Sequence, residues 1–122
     1  MSRSMHPLDS EQLERILLYL LRNAAFYTEQ GRISLEFKKR GAHTHQFIVT
    51  DTGIGIPKES IKKIWDRFYK SDLSRGKDKK GTGLGLAIVK EIIQAHGENI
   101  DVISTQGVGS EFIFTLPKAT AL

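Results

Sequence analysis

Three groups of residues carry chemical content. Gly81-Thr82-Gly83-Leu84-Gly85-Leu86 runs straight into the apolar segment Ala87-Ile88-Val89. Glycines at alternate positions let the backbone adopt positive φ and leave no side chain to bar a close ligand. The residues that follow read as helical, and a helix N-terminus offers an anion free N–H groups and the positive end of a dipole. The spacing is not the G-x-G-x-x-G of dinucleotide-binding folds. Nor is it a P-loop, since no Gly-Lys-Ser/Thr follows four free positions. A phosphate cradle and a plain turn before a buried helix both fit.

The second group is Asp51-Thr52-Gly53-Ile54-Gly55-Ile56-Pro57, which follows the apolar run Gln46–Thr50. Asp51 would sit at a strand end as a fixed carboxylate. It could accept from a ligand's amino group, or form an Asx-turn or helix cap. The third group is Asn23, linked by i+3 and i+4 steps to Tyr19, Phe26 and Tyr27. An amide in that apolar neighbourhood needs a partner, either within the core or on a ligand.

The elements that must position these groups follow from periodicity. Leu13, Ile16, Leu20 and Ala24 mark an amphipathic helix over residues 10–27, capped by Asp9 or Ser10. Alternation predicts strands at Ile33–Lys38, Gln46–Thr50, Ile100–Ser104 and Glu111–Leu116. Ile61, Ile64, Trp65 and Phe68 predict a short helix over Lys58–Phe68. A mostly apolar helix spans Leu84–His96, with Gly97 as its C-cap. The expected fold is an α/β two-layer sandwich, with a mixed, mostly antiparallel sheet and three main helices. Residues 9–117 form its one domain, and 118–122 a tail. Residues 1–8 read as a truncated or vector-derived start, with an extra edge strand within 3–8.

The chain has 122 residues, formal charge +4 and no cysteine, which excludes disulfides and cysteine-based nucleophiles or metal sites. Nine basic residues against four acidic ones lie between Lys58 and Lys80. A basic segment beside a glycine run suits an anionic ligand. No nucleic-acid reading motif accompanies it, so nucleic acid is not an expected partner. The polar stretch Lys70–Lys80 has little apolar surface to bury and reads as a mobile lid. No apolar run approaches the ~20 residues of a membrane helix, so a cytoplasmic location is expected, in a parent chain that can carry an anchor elsewhere.

Taken in order, these segments resemble the catalytic, ATP-binding domain of bacterial sensor histidine kinases, within the superfamily of gyrase, Hsp90, histidine kinase and MutL (GHKL). The likeness runs from about Leu8 to Pro117. Asn23-Ala24 resembles the end of the N box, and Asp51-x-Gly53-x-Gly55 the first glycine box. Arg67-Phe68-Tyr69-Lys70 resembles the F box, and Gly81–Leu86 the second glycine box. The resemblance implies ATP and Mg²⁺ as ligands. Asn23 would hold Mg²⁺, and Asp51 would accept from the adenine amine, which distinguishes adenine from guanine. Gly53 and Gly55 would close round the base, with Tyr27, Ile56 and Phe68 among the nucleotide contacts. Tyr69 and Lys70 would lie near the phosphates, together with Gly81, Thr82, Gly83, Leu84, Gly85 and Leu86.

Two departures from the family pattern remove polar groups near the triphosphate. Tyr19 stands where Asn is common, and Phe26 where Lys or Arg is common. Tyr19 either restrains phosphoryl transfer or simply packs into the core. Glu98 replaces a common glycine and is expected to be harmless. The acceptor histidine of such kinases lies on a separate dimerisation domain, and none of His6, His43, His45 and His96 has its sequence context. The chain is therefore expected to be a monomer that binds ATP, works with that domain and reaches a response regulator only through it. A degenerate nucleotide-binding module and an anti-sigma-type serine kinase are the alternatives.

Overall fold

The computed structural model describes residues 10–66 and 85–117. The edge strand expected within 3–8, the lid expected at 70–80 and the tail 118–122 lie outside those residues.

Helix α1 (Ser10–Tyr27) buries the expected stripe of Leu13, Ile16, Leu20 and Ala24, and carries Glu11 in its first turn. An acid there favours the positive end of the helix dipole. Helix α2 (Gly85–Ala95) buries Ala87, Val89 and Ile93. It ends as Gly97 predicts: Gly97 N–H donates to Gln94 O at 3.0 Å and Glu98 N–H to Ile93 O at 3.2 Å, with Gly97 at φ +77°. That is a Schellman cap, which needs a left-handed residue. Glu98 itself accepts from the Thr115 hydroxyl at 2.7 Å.

Strands β1 (Ile33–Lys39), β2 (Thr44–Asp51), β3 (Ile100–Thr105) and β4 (Gly109–Pro117) form one sheet in the order β1-β2-β4-β3. Every pairing among them is antiparallel, so the mixed character expected is absent from the described strands. The expected third helix is also corrected. Lys58–Ser60 forms a single 3₁₀ turn, and residues 61–66 continue as turns closed by Lys63 N–H to Ser60 O (2.8 Å) and Asp66 N–H to Lys63 O (2.9 Å). Few residues of this short stretch bury apolar surface, too little to offset helix nucleation. It docks through buried Ile64 and through Trp65, whose ring meets Phe112 edge-on at 6.0 Å.

The register lays the side chains of the helix-facing side of the sheet out in rows, whose β1 members stay exposed at the edge. One row is Phe37, Phe47, Phe114 and Ile100; the next is Leu35, Val49, Phe112 and Val102. Phe47 and Phe114 stack at 5.1 Å between centroids. The row beyond turns polar, as Ile33, Asp51, Ser110 and Ser104. Among the described residues, no helix is long and apolar enough to cross a membrane.

Phe114 is fully buried beneath both helices' layer. Phe114→Ala is expected to cost about 3–5 kcal/mol of unfolding free energy in urea titrations, from lost transfer energy and a residual cavity. A loss below ~1 kcal/mol would show that this row is loosely packed.

Candidate nucleotide-binding site

The polar row lies where the C-terminus of α1, the 52–57 loop and the β3–β4 hairpin converge. Alternation along β2 turns Asp51 inward, in phase with His45, Phe47 and Val49, and leaves it 5% exposed. Its Oδ1 accepts the Gly53 N–H at 2.9 Å. The Ser110 N–H and the Thr28 hydroxyl also favour the charged form, but burial outweighs them and pushes the carboxyl above its ordinary value of 3.8. No cation takes part in this balance among the described residues. An ionisable group buried without a counter-ion is costly to folding and concentrates at functional sites.

The loop beyond Asp51 is held by backbone bonds to three elements. Thr52 N–H donates to Arg32 O (3.0 Å), Ile54 N–H to Tyr27 O (3.1 Å), and Gly107 N–H to Ile54 O (2.7 Å). Ile56 N–H donates to the Ser104 hydroxyl at 2.8 Å. A Cβ at Gly53 would overlap the Tyr27 carbonyl, and one at Gly55, which sits at φ +71°, would overlap the Thr105 carbonyl. Both glycines are therefore required by close backbone approach, and Gly55 by its left-handed conformation as well.

Other expected residues gather round the same end. Tyr19 and Asn23 are half-buried and stand one turn apart on α1. The Tyr19 ring packs against the core, with Cδ1 3.4 Å from where a Cβ on Gly85 would stand. That contact turns this face of α1 towards the N-terminus of α2, where Gly85 and Leu86 supply the first turn. Tyr27 is half-buried, with Phe26 edge-on at 4.9 Å, and Ile56 packs against the core. Phe68, Tyr69, Lys70, Gly81, Thr82, Gly83 and Leu84 lie outside the described residues. His45 and His96 are buried.

Three residues of the site escape sequence reasoning. Ser104 and Ser110 fall in the apolar phase of their strands, a signal that inspection for motifs passes over. Thr28 follows α1, and its buried Oγ1 stabilises the Asp51 carboxylate without completing a hydrogen bond of full geometry among the described residues. The donor set also bears on a metal. Among the described residues, no three His, Cys, Asp or Glu side chains cluster to cage one. Asn23 can supply one hard oxygen, which fits Mg²⁺, an ion that keeps several waters and takes phosphate oxygens.

The model of the family "Histidine kinase-, DNA gyrase B-, and HSP90-like ATPase" matches residues 8–120, and the chain belongs to that family. Within it the chain is of the sensor histidine kinase type, matching their catalytic domain. It is 42% identical over 111 residues to the sensor protein SrrB of Staphylococcus aureus, covering 90% of this chain and 19% of SrrB. The chain thus spans about a fifth of that relative's length. The mycobacterial sensor histidine kinase MprB superposes with a TM-score of 0.75 at 30% identity, covering 91% of this chain and 73% of that structure. The nucleotide-free catalytic domain of histidine kinase ThkA gives 0.73 at 32%, covering 92% and 71%. Full-length ShkA in complex with AMPPNP gives 0.75 at 31%, covering 98% and 26%.

The raised titration of Asp51 carries a sign for stability. The folded chain holds this proton more tightly than the unfolded chain, so the contribution is complete below 3.8 and is lost as pH rises through the folded value. In urea unfolding over a pH series, the stability of the parent relative to Asp51→Asn should therefore increase on acidification. The opposite trend would show that burial does not control this carboxyl.

Proposed function

We propose that this chain binds Mg²⁺-ATP between α1, the 51–57 loop and the N-terminus of α2, and presents its terminal phosphate to a histidine on a separate domain of a parent kinase. The observation that carries the reading is Asp51, a buried carboxylate with no cation beside it among the described residues, at the end of a row of hydroxyls and beside glycine backbone. Such a group is compensated by a ligand that donates, as the exocyclic amine of adenine does. Guanine presents a carbonyl at that position and would face the carboxylate with a second acceptor.

In this reading Asn23 holds Mg²⁺, and Gly53 and Gly55 admit the base, with Tyr27 and Ile56 beside it. Gly85 and Leu86 bring the dipole of α2 towards the phosphates. Phe68, Tyr69, Lys70 and Gly81–Leu84 complete the nucleotide contacts. Bound Mg²⁺ neutralises phosphate charge, and the chain's own task is positioning, which is most of what phosphoryl transfer asks of a protein. The acceptor belongs to the parent's dimerisation domain, and a response regulator receives the phosphate from there. The parent's location follows as cytoplasmic for this part. The AMPPNP complex of the similar ShkA supports nucleotide binding here.

Asp51→Asn exchanges a charged acceptor for an amide that also donates, and is expected to weaken ATP by ~1.5–3 kcal/mol. Calorimetry should show this loss together with a parent preference for ATP over GTP. Equal affinity for the two nucleotides, or an unaffected variant, would refute the site.

Tyr19 separates full catalysis from a merely nucleotide-binding module. Its contact with Gly85 and the core supports the packing reading. Tyr19→Asn should then lower stability by about 2 kcal/mol without raising autophosphorylation in a parent kinase. A faster rate at unchanged ATP affinity would instead mark the phenol as a restraint on transfer.

A further inference from the structure

Ser104 occupies a position that no nucleotide-binding motif of the sequence includes, yet three strands of connectivity meet at its hydroxyl. It projects inward from β3 directly opposite Ser110 of β4. Its Oγ accepts the Ile56 N–H at 2.8 Å, lies 3.0 Å from the Gly109 carbonyl and lies 2.7 Å from the Ser110 Oγ. A hydroxyl has one proton and two lone pairs. Donation to Gly109 O therefore leaves both lone pairs for Ile56 N–H and the Ser110 hydroxyl, and the valence of Ser104 is complete.

The partners give this node its meaning. Ile56 is the far end of the loop that begins at Asp51, while Ser110 gives its backbone N–H to the Asp51 carboxylate. Asp51 and Ile56 are thus tied to each other through the paired hydroxyls of Ser104 and Ser110 on the β3–β4 hairpin. The Gly107 N–H on Ile54 O adds a second support on that side. Neither Ser104 nor Ser110 is a charged group; Ser110 is buried and Ser104 half-buried, so bonds made there are partly shielded from competition by water.

We infer that Ser104 is the positioning residue that sets the shape of the 51–57 loop around the adenine edge. The inference rests on the nucleotide reading above and extends it to specificity. Ser104 itself needs no contact with the nucleotide. It fixes where the Ile56 end of the loop stands relative to Asp51, and that separation decides which base edge fits.

The test uses the 122-residue chain with Ser104→Ala and Ser104→Thr, the second keeping the hydroxyl in a residue suited to strands. Amide exchange at Ile56 is followed without nucleotide, with Val49 and Phe114 amides as references. Mg²⁺-ATP and Mg²⁺-GTP affinities are measured by calorimetry. In Ser104→Ala the Ile56 amide should exchange about tenfold faster with the references unchanged, and ATP should weaken about tenfold. The ATP-over-GTP ratio should fall with it, because a general loss of stability would weaken both nucleotides alike. Ser104→Thr should restore exchange, affinity and ratio. An unchanged ATP affinity in folded Ser104→Ala, an unchanged Ile56 amide, or equal losses in both variants would overturn the inference. If Ser104→Ala does not fold, Ser104→Cys keeps the size with a poor acceptor and is held to the same outcomes. A parent chain that binds no Mg²⁺-ATP would instead overturn the reading of the site, and the Ile56 exchange would still decide whether Ser104 holds the loop.

Discussion

Asp51 is kept out of water at the end of β2, where among the described residues N–H groups and a hydroxyl support its charge. Much of the remaining structure is arranged to tolerate that. A carboxylate held without a cation needs donors brought very close, and backbone donors come close only where side chains are absent. Gly53 therefore lies against the α1 carbonyl end, and Gly55 against the hairpin. Burial still prevails over these donors, so the nucleotide-free chain carries an electrostatic cost at its binding site, as functional sites commonly do.

The apolar rows make that cost bearable. Two of them, centred on Phe47–Phe114 and Val49–Phe112, lie beneath α1 and α2 and supply the burial that holds the sheet to its helices. The third row is the continuation of the same register, with hydroxyls and a carboxylate in place of carbon. The site is thus the end of the core, and its geometry is inherited from strand pairing. Tyr19 against Gly85 links the helices at the same end, so the face bearing Asn23 and the start of α2 are oriented by packing.

Helices α1 and α2, the four strands and the Gly97 cap were legible because each follows from local pattern: a 3.6-residue stripe, a two-residue alternation, a glycine after an apolar run. The helix expected over Lys58–Phe68 was not, because Ile61, Ile64 and Trp65 have helical spacing in a stretch too short to profit from it. Among the described residues of that stretch, Ile64 is the buried one. Ser104 and Ser110 show the reverse case. Their places in the alternation put two hydroxyls on the apolar face, a conflict that local pattern records and cannot resolve.

The sequence by itself determined which residue types could meet a nucleotide, and their order along the chain was enough to indicate the family. Asp51 ends an apolar strand, Gly53 and Gly55 follow at fixed steps, and Asn23 lies on an amphipathic helix; each is a local fact. Tertiary structure alone decided that Asp51 is buried, that Ser110 and Thr28 support it, and that Ser104 ties Ile56 to the hairpin. The reason is register. Hydrogen bonds between β2, β4 and β3 align residues distant in the chain, and a slip of one position would turn Asp51 and both serines to the opposite face. Periodicity fixes which residues share a face of one strand, but only pairing fixes which residues of different strands meet.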